Sequence, residues 1–282
     1  MNRYNLSKRL SKVVNLVEPA AFLVDIGCDH GFVSIDLVSS GKVKKALCTD
    51  INEGPLERAK GHIKDYCLED KISTLLSDGL LSIVNNIDAL EPSDYDFDAA
   101  CICGMGGLMG IKIIFEADEL FRKMNVFYLQ LQSDLELVRL FLNKFGYEIF
   151  FEDLIFEDGK YYTAMKVRSC RDLSKAEIEA EVNKLNGEDP AAEEESSDNN
   201  GFDLIPAKLK AAYDGLSVEE CVDLKYPHYD GMDEEVYKAF LDFMIDKYET
   251  IQNYLPDNSD RKEAIGKELS IMHAAYERYV KQ

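Results

Sequence analysis

Four aspartates and one histidine are spaced so as to serve a charged ligand. Asp25, Asp29, Asp50 and Asp78 all fall at the ends of strand-like apolar runs, on what would be one edge of a sheet. The stretch Val24-Asp25-Ile26-Gly27-Cys28-Asp29-His30-Gly31 joins an apolar run to a tight acid-flanked turn, and a helical pattern follows at once. Ligands of open α/β sheets bind at such junctions, beyond the carboxyl ends of strands. Thr49-Asp50 places an acid about twenty residues past that turn, where a ribose hydroxyl pair is usually held. The turn lacks the full G-x-G-x-x-G that brings backbone against a pyrophosphate. Four converging carboxylates suit a cationic nucleoside ligand and repel a dinucleotide phosphate. Strand ends are polar in general, but acids after each of the first three strands weigh toward a ligand role. His30 sits inside the turn as a proton shuttle, a substrate contact or a helix-start residue.

Positioning these groups requires alternating strands and helices. Residues 5–18 carry Leu6, Leu10, Val13, Val14 and Val17 at helical spacing, closed by Pro19. Strands are expected at 22–26, 44–50, 72–76, 97–103 and 126–131. Helices are expected at 32–40, from 52 to about 67, 80–90, 107–123 and 134–145, with Pro55 in a first turn. Residues 147–156 and 161–167 read as a hairpin around Glu157-Asp158-Gly159-Lys160. Right-handed crossovers make the first five strands a parallel, doubly wound sheet. The closing hairpin adds a reversed strand. The expected fold is therefore α/β, a seven-stranded Rossmann-like sheet of the class I methyltransferase kind whose last hairpin is antiparallel. Residues 1–170 form this domain.

Beyond it, 171–231 reads as an acidic linker or insert, with helices possible at 173–185 and 205–216 and a solvated loop at 186–201. Residues 232–255 and 259–279 read as two amphipathic helices joined by Pro256-Asp257-Asn258, a helical hairpin domain at 232–282.

Within that architecture, Gly104-Met105-Gly106-Gly107 follows the fourth strand, where a methyl acceptor sits. Its glycines permit a tight turn and close approach of a planar base at once. The chain has no Asn-Pro-Pro-Tyr tetrad there, of the kind used on exocyclic adenine nitrogens. A ring nitrogen, whose lone pair is already available, needs less help. S-adenosylmethionine carries an ammonium and a sulfonium and no phosphate, so it fits the acid-lined turn.

Composition narrows the partners. The net charge is −21, and residues 171–282 hold 13 Lys and Arg against 27 Asp and Glu. Nucleic-acid affinity rests on cationic contacts. An RNA partner therefore needs a local patch, with Arg3, Lys8, Arg9 and Lys12, or Lys42, Lys44 and Lys45, as candidates. Taken alone, both clusters read first as ordinary solvated surface. No apolar run approaches the roughly 18 residues of a membrane span, and the N-terminus lacks a signal-peptide core. Seven cysteines without a Cys-x-x-Cys pair read as reduced thiols of a cytoplasmic protein, with no metal site.

Taken in order, these motifs resemble the bacterial tRNA (adenine-22-N1)-methyltransferases over about 5–170. The matching pieces are Leu6-Ser7-Lys8-Arg9-Leu10, Asp25-Ile26-Gly27-Cys28-Asp29-His30 and Asn52-Glu53-Gly54-Pro55. Ser77-Asp78-Gly79-Leu80, Gly104-Met105-Gly106-Gly107, Leu131-Gln132 and Glu157-Asp158-Gly159-Lys160-Tyr161-Tyr162 follow. Where that family carries Gln-Pro-Asn, this chain has Gln132-Ser133-Asp134. The resemblance implies S-adenosylmethionine on Asp25, Gly27 and Asp29, with Asp50, Ile51 and Asn52 at its ribose and Asp78, Gly79 and Gly104 beyond. It implies a flipped adenine of tRNA beside Arg9, Gly106, Gly107 and Gln132, with Asp29, His30, Gly104 and Met105 as the catalytic wall. Direct attack by adenine N1 then needs no general base. Lys238, Lys247 and Lys262 are the candidate tRNA contacts of the C-terminal helices.

Competing expectations are a methyltransferase of a small molecule or protein, and a non-catalytic RNA-binding protein. The oligomeric state stays open, with a monomer preferred.

Overall fold

A computed structural model describes residues 6–170, 177, 180, 202 and 205–281 of the chain. The loop expected at 186–201 and Arg3 lie outside the described residues, as does the 173–185 helix except at Glu177 and Ala180, both helical and exposed.

The N-terminal helix α1 (Lys8–Leu16) starts at Ser7, whose hydroxyl accepts the Leu10 amide, and buries Val13 and Val14. Five β/α units follow: β1 (Ala20–Ile26), α2 (Phe32–Ser39), β2 (Val43–Asp50), α3 (Glu53–Asp65), β3 (Ile72–Leu76), α4 (Leu81–Val84), β4 (Ala99–Cys103), α5 (Gly107–Glu116), α6 (Asp118–Lys123), β5 (Val126–Gln130) and α7 (Leu135–Lys144). The hairpin β6 (Tyr147–Glu157) and β7 (Lys160–Ser169) closes the domain. The sheet order is β3-β2-β1-β4-β5-β7-β6, parallel through β5, with β7 antiparallel to both neighbours. This is the expected seven-stranded sheet with one reversed strand.

Register brings the strand ends level. Ile26 pairs with Thr49 and Ile102, Asp50 with Leu76, and Cys103 with Gln130. The turns after β1 to β5 therefore open on one edge. The strand order reverses beside β1, between β2 and β4, which is where a crevice for a ligand forms.

Two boundaries differ from the sequence pattern. The helix expected over 107–123 breaks at Ala117, where α6 starts afresh with Asp118 and Glu119 in its first turn. Asp118 accepts from Arg122 four residues on and from the Tyr147 hydroxyl of β6. The helix expected over 80–90 is one turn, α4, followed by short 3-10 turns at Ile87–Ala89 and Pro92–Asp94.

Apolar layers cover both faces of the sheet. Val13, Ile35, Leu37, Leu56 and Ile63 pack α1, α2 and α3 on one face. Ile111, Ile114, Phe121 and Phe141 pack α5 to α7 on the other. That second layer continues into α8 (Ile205–Asp214), α9 (Val218–Lys225), α10 (Glu234–Tyr254) and α11 (Asp260–Tyr279) through Leu209, Val222, Leu241 and Met272. Helix α9, which the hydrophobic pattern does not announce, is opened by a capping box between Ser217 and Glu220. Helices α10 and α11 pack against each other. No helix among the described residues is long and apolar enough to cross a membrane.

Candidate active site

The turn after β1 is built by backbone. The amides of Gly27 and Cys28 both donate to the Thr49 carbonyl, at 2.8 and 2.9 Å, which lashes the loop to β2. Gly27 has φ +68°, and a Cβ there would overlap the Met105 methyl. The two glycine-bearing turns thus touch across the crevice, with the Met105 side chain lying on Gly27.

Asp25 lies beneath this loop, 2% exposed, and accepts from the Ser34 hydroxyl at 2.9 Å. Burial pushes its carboxyl up to about 6, against the opposing hydrogen bonds from Ser34. Asp29 and His30 stand on the loop itself. Asp29 holds a left-handed backbone, φ +49°, and its carboxylate faces His30 Nε2 at 3.7 Å and Arg58 at 3.6 Å. Asp50 ends β2, mostly buried, with Oδ1 accepting the Asn52 amide at 2.9 Å. Ile51 beside it is 60% exposed, an apolar side chain left open next to a carboxylate.

Asp78 arrives on the same edge after β3, but it is not open. Lys112 of α5 donates to it at 2.8 Å and pairs with Glu116 at 3.1 Å. Burial works against the Lys112 ammonium, yet those two carboxylates hold its pKa above the usual value. Gly79 follows at φ +57°, packed toward Ile113.

Across the crevice, the turn after β4 folds against the turn after β5. The Gly104 amide donates to Gln130 and the Gln132 amide to the Met105 carbonyl at 2.8 Å. A Cβ on Gly107 would strike the Ser133 carbonyl and come within 2.9 Å of Val138, so only glycine fits. Gly106 is less confined, a Cβ there standing 3.2 Å from the Ser133 hydroxyl. The Ser133 hydroxyl accepts from the Gly107 amide and donates to Asp134, which starts α7 at φ +54°. Serine and aspartate thereby build the turn that the Gln-Pro-Asn pattern would otherwise make. We expect Gly107→Ala to lower the melting temperature by several degrees in thermal melts; an unchanged melting temperature would contradict the close approach.

Arg9 reaches the crevice from α1. Its guanidinium lies 5.3 Å from the Tyr162 ring centre and its Nε 3.6 Å from Glu157, while Glu157 also accepts the Lys8 amide. Its charge opposes the effects of burial and of Asp25 on the Cys103 thiol at the end of β4, so Arg9, Cys103 and Asp25 share one field. Of the C-terminal cations, Lys238 pairs with Asp242 and Lys262 with Asp257, while Lys247 is exposed.

The residues that sequence reasoning missed are Ser34, Arg58, His62 and Lys112, each of which grips an aspartate or its loop. Arg58 and His62 lie four apart on one helix, a spacing ordinary among polar helix positions.

A doubly wound sheet with one reversed strand, acids after its first strands and a glycine turn after its fourth defines a Rossmann-like methyltransferase. Residues 6–165 match the family model described as a methyltransferase domain. A Mycoplasma pneumoniae protein named "Putative tRNA methyltransferase" is 32% identical over 165 residues, covering 57% of this chain and 71% of that one. The Bacillus subtilis tRNA (adenine(22)-N(1))-methyltransferase is 32% identical over 169 residues, 58% of this chain and 66% of that one. The structure of M. capricolum TrmK in complex with S-adenosyl-homocysteine superposes with a TM-score of 0.66 at 22% identity, covering 98% of this chain and 100% of that one. The chain belongs to the methyltransferase-domain family and is similar to tRNA methyltransferases.

Proposed function

We propose that the protein transfers a methyl group from S-adenosylmethionine to N1 of adenine 22 in tRNA. The observation that carries this is the edge itself: a buried Asp50 carboxylate beside an open Ile51, on the same edge as the tightly packed glycine turn after β4. The donor set fits the cofactor. Carboxylates at Asp25, Asp29, Asp50 and Asp78 favour a nucleoside bearing positive charge and disfavour a pyrophosphate. When bound, S-adenosylmethionine supplies an electrophilic methyl group.

Asp50 and Asn52 would hold the ribose, and Ile51 would lie along the adenine. Asp25 and Gly27 shape the methionine side, and Asp29 borders it. Asp78, held by Lys112, would border the adenine, with Gly79 and Gly104 giving clearance. The substrate base enters between Gly104-Met105-Gly106-Gly107, Gln132 and the Asp29-His30 wall. Arg9, whose Nε lies by Glu157, would meet a neighbouring phosphate with its remaining donors. Flipping a base costs a few kcal/mol, least where pairing is weak. Adenine N1 carries its own lone pair, so positioning and exclusion of water do most of the work. Seven unpaired cysteines and a tRNA substrate support a cytoplasmic location.

Incubation of unmodified tRNA with labelled S-adenosylmethionine, followed by mapping of the modified base, tests this. Label at adenine 22, lost in a transcript with guanine there, is the expected result; label elsewhere, or none, refutes it. Asp50→Ala should weaken S-adenosylmethionine binding about tenfold to a hundredfold, the value of charge-assisted hydrogen bonds, as read by calorimetric titration.

A further inference from the structure

Helix α3 grips the loop that carries Asp29 and His30. Arg58 and His62, four residues apart, share one face of the helix. Arg58 reaches the Asp29 carboxylate at 3.6 Å, and His62 Nδ1 lies 3.0 Å from the His30 carbonyl oxygen. Between them Ala59 meets Gly31, where an added Cβ would stand 3.2 Å from the Ala59 methyl. Three successive loop residues are thus set against one turn of helix.

The loop needs such a grip. Asp29 holds a left-handed backbone at φ +49°, which non-glycine residues keep only when their surroundings enforce it. The exposed Asp29–Arg58 pair is a weak restraint in water. The His62 bond is the partly buried one. A carbonyl oxygen only accepts, so His62 must donate from Nδ1. Phe32 stacks on the imidazole at 4.5 Å and 21°, which fixes the ring plane. The same helix begins just after Asp50, whose carboxylate accepts the Asn52 amide. One rigid element therefore joins the ribose-side acid to the catalytic loop.

We propose that His62 is a positioning residue for methyl transfer, holding the Asp29-His30 loop in its reactive geometry through Nδ1–H. The assignment of methyl transfer rests on the function proposed above. A purely structural His62 would act by packing its ring on Phe32, and the two roles separate by substitution. His62→Leu fills the space but cannot donate. His62→Asn offers an amide nitrogen close to where Nδ1 stood and removes the ring.

Positioning predicts that His62→Leu lowers kcat for tRNA methylation about tenfold to a hundredfold, the scale of small misplacements, with S-adenosylmethionine affinity unchanged. It predicts that His62→Asn recovers most of that loss. An unimpaired His62→Leu, or a His62→Asn as impaired as His62→Leu, overturns it. Nitrogen NMR of the wild-type protein decides the geometry independently of any substrate. A neutral His62 protonated at Nδ1 supports the clamp, and one protonated at Nε2 refutes it. That readout holds even if His62→Leu fails to fold or the protein methylates something other than tRNA.

Discussion

Asp25→Asn is expected to stabilise the free protein at pH 8 and, at the same time, to weaken its hold on S-adenosylmethionine. Burial raises the Asp25 carboxyl from the ordinary 3.8 to about 6. Between those values the folded chain keeps a proton that the unfolded chain has lost, so stability falls as pH rises through this window and is flat above it. The difference of roughly two units corresponds to about 3 kcal/mol lost above pH 6. Asparagine is neutral throughout and can still accept from the Ser34 hydroxyl. The variant should therefore melt higher than wild type at pH 8, equal to it near pH 4, and show no dependence between. What the ionised carboxylate gains in return is attraction for a cation in the crevice. Wild-type affinity for the cofactor should rise through pH 6, and that of Asp25→Asn should stay low and level. Melting curves and calorimetric titrations at several pH values measure both. Equal cofactor affinity of the two proteins at pH 8 would remove Asp25 from the site.

The visibility of Asp25 in the sequence has a simple cause. A carboxylate inside an apolar five-residue run has few structural uses, and the run itself fixes its depth in a strand. Asp50 and the Gly104 turn are legible for the same reason: parallel strands place their ends on one edge, so position along the chain translates into position in space. Lys112 is different. It reaches Asp78 across 34 residues, and nothing in the apolar periodicity of α5 says which way its one cation turns. Arg58 and His62 read as ordinary polar positions until the loop is seen to pass over them. The break at Ala117 escapes because the alternation of apolar residues runs through it unbroken, and the one long-range partner of Asp118, the Tyr147 hydroxyl, lies 29 residues away. Helix α9 is too short for its period to rise above the acidic composition around it. Local patterns carry the scaffold and its edge; side-chain partners far apart in sequence do not announce themselves.

Glu152→Ala is expected to cost about 3–5 kcal/mol, the usual result of stripping one partner from a buried ion pair. Glu152 points into the protein from β6, 1% exposed, against Arg139 of α7, 5% exposed. Arg139 Nε donates to Glu152 at 3.1 Å and Nη2 donates to its other oxygen, a two-pronged contact. Burial works against the guanidinium, but Glu152 holds it charged, above its usual pKa. With the carboxylate gone, a full positive charge stays where water does not reach. The third arm, Nη1, donates to the Leu224 carbonyl at 2.7 Å, in the last turn of α9. The pair therefore links the sheet to the C-terminal helices as well as filling the core. Replacing both partners by apolar residues, Arg139→Met with Glu152→Leu, should recover most of the stability, because no charge is left to desolvate. It should not recover the link to Leu224. Denaturant unfolding should rank the double variant near wild type and Glu152→Ala far below. Hydrogen exchange should remain faster at 218–225 in the double variant alone of the two near-native proteins. A Glu152→Ala protein within 1 kcal/mol of wild type would mean that water reaches the pair. A double variant with wild-type protection at 218–225 would mean that apolar packing alone seats α9 on α7, and that the guanidinium serves the sheet without holding the helices.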